Sequence, residues 1–134
     1  MSLNHQHFMI DCAVRKPLTN VEQTIDFLKR LVHAIGMKIV AGPIAHYCDS
    51  EDNYGITGAV CIATSHCSVH VWDRVEKPYM RLDVYSCATF DDQIVLDLID
   101  EFEPYEIITN NIDRNPINYQ KAVENDRPNQ DNQL

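Results

Sequence analysis

The sequence has no apolar run approaching the about 18 residues that a membrane-spanning helix needs, so a transmembrane helix is not expected. Its opening residues, MSLNHQHFMIDC, lack a basic segment followed by an apolar one, so no secretory signal is read there. No two cysteines are spaced C-x-x-C. The five, Cys12, Cys48, Cys61, Cys67 and Cys87, are odd in number and scattered. That argues against a disulfide framework and a cysteine-type zinc site, and the expectation is a reduced chain in the cytoplasm. Basic residues are scarce, with 11 Lys and Arg against 20 Asp and Glu and a formal charge of −9. Such a balance argues against a sequence-independent grip on nucleic acid or on an anionic membrane, and it is compatible with a cationic small molecule.

What is present amounts to one domain. The 134 residues are 45% hydrophobic and 23% charged, enough apolar material for a modest core. Residues 6–14 read as a strand. Residues 18–36 carry the clearest helix: Thr19 and Glu22 are spaced as a capping box, Val21, Ile25, Leu28, Val32 and Ile35 recur at helical spacing, and Gly36 is a natural stop. Residues 37–48 read as a strand whose Gly42-Pro43 pair implies a bulge or an edge. A polar loop, 49–55, follows. ITGAVCIA, 56–63, is nearly all apolar and predicts a central strand buried on both faces. Strands are expected at 65–73 and 80–87, around a loop at 74–78. Thr89 is the expected cap of a second helix, 91–102, with Ile94, Val95, Leu98, Ile99 and Phe102 inward, before a last strand at 105–112. From Arg114 the chain is Asn-rich and poor in apolar residues, so 1–113 is the expected domain and 114–134 a loosely ordered tail. Consecutive strands with few helices predict an α+β fold, a two-layer sandwich of a mainly antiparallel sheet with two helices on one face.

The stretch ATSHCSVHVW, 63–72, and the later YSC, 85–87, concentrate the reactive side chains. In an extended strand His66, Ser68 and His70 share one face, with Cys67, Val69 and Val71 on the other. Ser65 stands at the strand's start. A serine nucleophile needs a base, and His66 and His70 are candidates. A hairpin would carry the Cys87 thiol back toward this region. The plain reading stands beside this one: a hydroxyl before a strand, hydrogen-bonded strand histidines and a small buried thiol. A metal held by His66 and His70 is disfavoured, because i and i+4 on a strand lie ~13 Å apart; His5 and His7 add little. Asp91, Asp92, Asp97, Asp100, Glu101, Glu103 and Glu106 read as a helix start and a solvated face rather than an amine-binding site.

From about residue 7 to residue 110 these segments resemble the small, prokaryotic-type S-adenosylmethionine decarboxylases, pyruvoyl-dependent enzymes of polyamine and spermidine synthesis. The family pattern E-S-H-[IL]-[ST]-[IVF]-H-[TS]-[WFY]-P-E is similar to T-S-H-C-S-V-H-V-W-D-R here. Its later T-C-G is similar to S-C-A, its G-[VI]-[ST]-G to GITG at 55–58, and its opening strand to HFMID at 7–11. The resemblance implies that Ser65 attacks the carbonyl of Thr64, that His70 assists the proton transfers of this self-cleavage, and that Ser65 becomes a covalent pyruvoyl group. That group would form a Schiff base with the substrate amine. Cys87 would reprotonate the product carbon, and a homodimer would build the sites near its interface. No metal is implied.

The chain departs from the pattern at three places. Thr64 replaces the Glu before the serine; the attack is on a backbone carbonyl, so a carboxylate is not required, but a β-branched residue changes backbone preference there. Asp73-Arg74 replaces Pro-Glu, where the family's Glu is associated with the ribose hydroxyls. Glu76, in the longer loop that follows, is the candidate to take its place, while a cation at 74 would repel a sulfonium. Ala88 replaces Gly. Two other readings stay open: a pyruvoyl-dependent decarboxylase of ornithine or arginine, and an uncleaved, non-catalytic relative that binds or modulates a partner.

Overall fold

Alternation along the strands decides where the core lies. In β4 (Ser65–Trp72), Cys67, Val69 and Val71 are buried while His66, Ser68 and His70 are not. The same rhythm runs through β1 (Gln6–Val14), β3 (Asn53–Ile62) and β5 (Tyr79–Ser86). The computed structural model describes residues 4–115. The expected tail lies outside the described residues from position 116 on. Along the chain the order is β1, α1 (Val21–Ala34), β2 (Ile39–Ser50), β3, β4, β5, α2 (Asp92–Leu98), a 3-10 turn (Ile99–Phe102) and β6 (Pro104–Asp113). The strands form one antiparallel sheet in the order β2-β3-β4-β5-β1-β6. One face carries both helices and the other is open. This is the α+β two-layer sandwich expected.

Helix α1 seals the covered face. Thr24, Phe27, Leu28, Leu31 and Val32 are buried, and the Phe27 ring meets Phe102 edge-on at 5.0 Å between centroids. Each large apolar side chain so buried contributes about 1.5–3 kcal/mol. The stripe is rotated from the one predicted: Val21 is exposed and Ile25 half-buried, whereas Phe27 and Leu31 are inside. The cap is shifted by one residue as well. Asn20, not Thr19, caps the helix by accepting from the Gln23 amide at 2.9 Å, and Gln23 in turn accepts from the Thr19 amide. Ile35 and Gly36 (φ 74°) end it as expected.

Other expectations need correction. The polar stretch 49–55 is not a loop: strands β2 and β3 run almost to its middle and turn at Glu51-Asp52, with Asp52 at φ 65°. β3 is buried on one face only, because no helix covers the other; Thr57, Ala59 and Cys61 look out from it. Asp91, not Thr89, caps α2, accepting from the Gln93 amide at 3.0 Å. The predicted 91–102 helix tightens to 3-10 geometry after Leu98, and Ile94 is exposed. β2 is an edge strand with register shifts around Gly42-Pro43, in keeping with the bulge read there.

Candidate active site

The β3–β4 hairpin turns on two residues, Ala63 and Thr64, so that Ile62 pairs with Ser65. The turn is tied down from outside: the Ala63 amide donates to the Lys38 carbonyl at 2.8 Å, and the Thr64 hydroxyl points at the Met37 sulfur at 3.2 Å. Ser65 leaves this turn at φ 149°. A non-glycine residue there stores about 1–3 kcal/mol of backbone strain, held by the pairing on either side. The carbonyl before it is also gripped. The Cys87 amide donates to the Thr64 oxygen at 2.7 Å. Cys87 lies one residue past the end of β5, because Ser65 pairs with Ser86. Ser86 is buried, and its hydroxyl accepts from the Ala88 amide at 3.0 Å. The Cys87 carbonyl accepts from the Asn4 amide at 3.0 Å. Thr64, Ser65 and Cys87, far apart or merely adjacent in sequence, thus meet at one end of the sheet.

His70 does not meet them. It lies five residues along β4, roughly 16 Å away in an extended strand, on the open face. There its Nδ1 contacts the Thr57 hydroxyl at 3.1 Å. Thr57 is the site neighbour that the sequence reading missed. Its signal was the GITG segment, whose glycines the packing explains. At Gly55 (φ 154°) a Cβ would sit 1.8 Å from the Val71 carbonyl oxygen, and at Gly58 one would sit 2.6 Å from Thr24 Cγ2 of α1. Both glycines let β3 lie close to its neighbours, which sets Thr57 directly across from His70.

His66 is exposed on the open face against Tyr85, at 5.5 Å between rings. Tyr85 also contacts His7 at 5.8 Å and receives the Arg114 guanidinium over its ring at 4.5 Å, while its hydroxyl meets His5 Nδ1 at 2.6 Å. His7 Nε2 pairs with Asp83 at 3.1 Å. Among the described residues no group of three or more His, Cys, Asp and Glu could hold a metal. The five cysteines are free. Burial pushes the Cys67 thiol up to about 12, and burial followed by the Asp11 charge pushes Cys12 up to about 11, so neither offers a thiolate at neutral pH.

Glu76 is exposed in the loop between β4 and β5, at the far end of the sheet from Ser65 of the same chain. Beside it Asp73 accepts from the Tyr47 hydroxyl at 2.8 Å, and Arg74 lies over the Tyr54 ring at 4.8 Å. Several of the acids at 91–106 have partners from other elements: Glu101 with Arg30, Glu103 with Lys16, and Glu106 with Lys77, each at 2.8 Å. They form a paired, solvated surface. No helix among the described residues is long and apolar enough to cross a membrane.

The family model for S-adenosylmethionine decarboxylase matches residues 6–115. An S-adenosylmethionine decarboxylase proenzyme of Clostridium botulinum (strain Langeland) is 31% identical over 105 residues, covering 75% of this chain and 84% of the relative. A proenzyme of the same name from Thermococcus onnurineus is 50% identical over a shorter stretch of 38 residues, 28% of this chain and 26% of that one. The crystal structure of the adenosylmethionine decarboxylase from Aquifex aeolicus superposes with a TM-score of 0.67 over 87% of this chain and 95% of its own, at 22% identity, a likeness of fold. A family match across nearly all the described residues, with a relative similar over most of its length, settles the kinship: the chain belongs to the S-adenosylmethionine decarboxylase family.

Proposed function

We propose that the chain is the proenzyme of an S-adenosylmethionine decarboxylase, that it cuts its own backbone between Thr64 and Ser65, and that it works as a homodimer in the cytoplasm. One observation carries this reading: a serine held at φ 149°, with the preceding carbonyl already receiving a hydrogen bond of 2.7 Å from Cys87. The Ser65 hydroxyl attacks the Thr64 carbonyl carbon and exchanges the amide for an ester. The charge that develops on the Thr64 oxygen is met by the Cys87 amide, an oxyanion donor in place before the reaction. Strain at Ser65 favours breaking its amide bond. Elimination then frees residues 1–64 with a terminal carboxylate, and water removes the nitrogen of residue 65 as ammonia.

Ser65 fits a pyruvoyl group, since the serine supplies its three carbons and the Cys87 amide holds the carbonyl that precedes it. When present, the pyruvoyl carbonyl supplies an electrophile for the substrate amine and a sink for the electrons left as CO₂ departs. Cys87 delivers a proton to the product carbon. His70 moves protons during self-cleavage, oriented by Thr57. Because His70 is roughly 16 Å along β4 from Ser65 of its own chain, it serves the Ser65 of a second copy. The open sheet face that carries His70, Thr57 and the exposed Ile44 is the surface for that copy. In the same arrangement Glu76 of one copy reaches the ribose hydroxyls of substrate bound at the other. The acidic chain suits a sulfonium substrate.

The test is CO₂ release from carboxyl-labelled S-adenosylmethionine, ornithine and arginine, each offered to fully cleaved protein. Release from S-adenosylmethionine alone is expected. Release from ornithine or arginine alone would overturn the substrate assignment.

A further inference from the structure

The two ends of the described chain are knotted together over the Cys87 turn. The Asn4 amide donates to the Cys87 carbonyl at 3.0 Å, and the Asn4 side-chain amide donates to the Thr89 hydroxyl at 3.0 Å. Next to it, the His5 ring meets the Tyr85 hydroxyl at 2.6 Å, two residues before Cys87. The strap is itself pinned by the residues after β6. The Arg114 amide donates to the His5 carbonyl at 2.8 Å, and the Asn115 side chain accepts from the His5 amide at 3.0 Å and donates to Asn4 Oδ1 at 2.7 Å.

Cys87 is therefore fixed at both of its backbone polar groups. Its carbonyl is bound by Asn4, and its amide is bound to the Thr64 oxygen. Two such bonds on one residue leave its peptide planes little freedom, and the direction of the amide is what matters at the Thr64 carbonyl. We propose that Asn4 and His5 are positioning residues for self-cleavage: they latch the Cys87 turn so that its amide points at the Thr64 oxygen. Their role is to orient that donor without touching the reacting atoms. This inference rests on the self-cleavage reading and adds to it a part for the N-terminal residues.

The experiment follows the first-order appearance of residues 1–64 and 65–134 in freshly refolded full-length protein, with melting temperature measured in parallel. His5→Leu and Asn4→Pro, the second lacking the amide that binds Cys87, should slow cleavage roughly three- to tenfold, the effect of one misaligned hydrogen bond, at unchanged melting temperature. His5→Asn, whose side chain can still meet the Tyr85 hydroxyl, should restore most of the rate. Tyr85→Phe should slow cleavage as His5→Leu does, and the two together should be no worse than either. Wild-type cleavage that all four variants match would overturn the latch and leave the self-cleavage reading standing. A drop in melting temperature with an unchanged rate per folded molecule would also overturn it, as a purely structural role. Wild type that never cleaves would overturn both.

Discussion

The Cys87 amide lies 2.7 Å from the Thr64 carbonyl oxygen, so Cys87 grips the bond in front of Ser65 with its backbone. On the proposed reading this residue has two separable jobs, one in its main chain and one in its side chain.

Cys87→Ala keeps the amide and removes only the thiol. It should still cut at Thr64-Ser65, while decarboxylation per folded molecule falls by the ~10²–10⁴-fold typical of losing a general acid or base. Decarboxylation at the wild-type rate would remove Cys87 from the chemistry.

The separation of Ser65 and His70 along β4 predicts complementation between copies. A Ser65→Ala chain keeps a working His70, and a His70→Ala chain keeps a working Ser65. Co-expressed with different tags, the His70→Ala chain should be cut and the Ser65→Ala chain should stay whole. The His70→Ala chain expressed alone should be cut at least tenfold more slowly, as expected for a lost base. A His70→Ala chain that stays intact beside its partner would mean that His70 acts within its own chain.

Much of this was legible from local pattern. Alternation in SHCSVHVW placed His66, Ser68 and His70 on one face and Cys67, Val69 and Val71 in the core, and the structure agrees. Gly36 and Gly42-Pro43 marked a helix stop and an irregular edge for reasons of backbone freedom alone. The covering of a face is not a local property. Nothing in ITGAVCIA says that α1 packs on one side of β3 while the other stays open, so the strand was expected to be buried twice. The partners of Ser65 are likewise non-local. The Cys87 amide reaches Thr64 through the β4–β5 register, and Thr57 reaches His70 through the β3–β4 register. Turn chemistry misled at 49–55, where a run of polar residues encodes two strand ends and a two-residue turn.

Gly58 tests the fit of α1 on the sheet. Gly58→Ala would place a methyl 2.6 Å from Thr24 Cγ2 and 3.1 Å from Leu28 Cδ1, both on a packed helix. A loss of about 1–3 kcal/mol in denaturant unfolding is expected, eased by Thr24→Ser, which deletes the opposing methyl. An unchanged midpoint for Gly58→Ala would show that the helix shifts freely over β3.

Alkaline pH should find Cys67. Burial raises its thiol from 9.0 to about 12, so the folded state holds this proton more tightly than the unfolded chain does. The stabilisation is fully present below about pH 9 and is lost as pH climbs toward 12. Cys67→Ala lowers stability at neutral pH through a small cavity, yet its stability should fall less steeply above pH 9. Parallel curves for the two proteins would contradict the burial of this thiol. Haloacetamides at neutral pH should spare Cys67 and Cys12 and modify Cys87.

The central claim is a break in the chain, and intact mass under denaturing conditions tests it most directly. The account predicts that the 15.4 kDa species gives way on incubation to two chains, residues 1–64 ending in Thr64 and residues 65–134 beginning with a blocked group, and that Ser65→Ala remains whole. A single 15.4 kDa mass that persists in folded wild-type protein would contradict it.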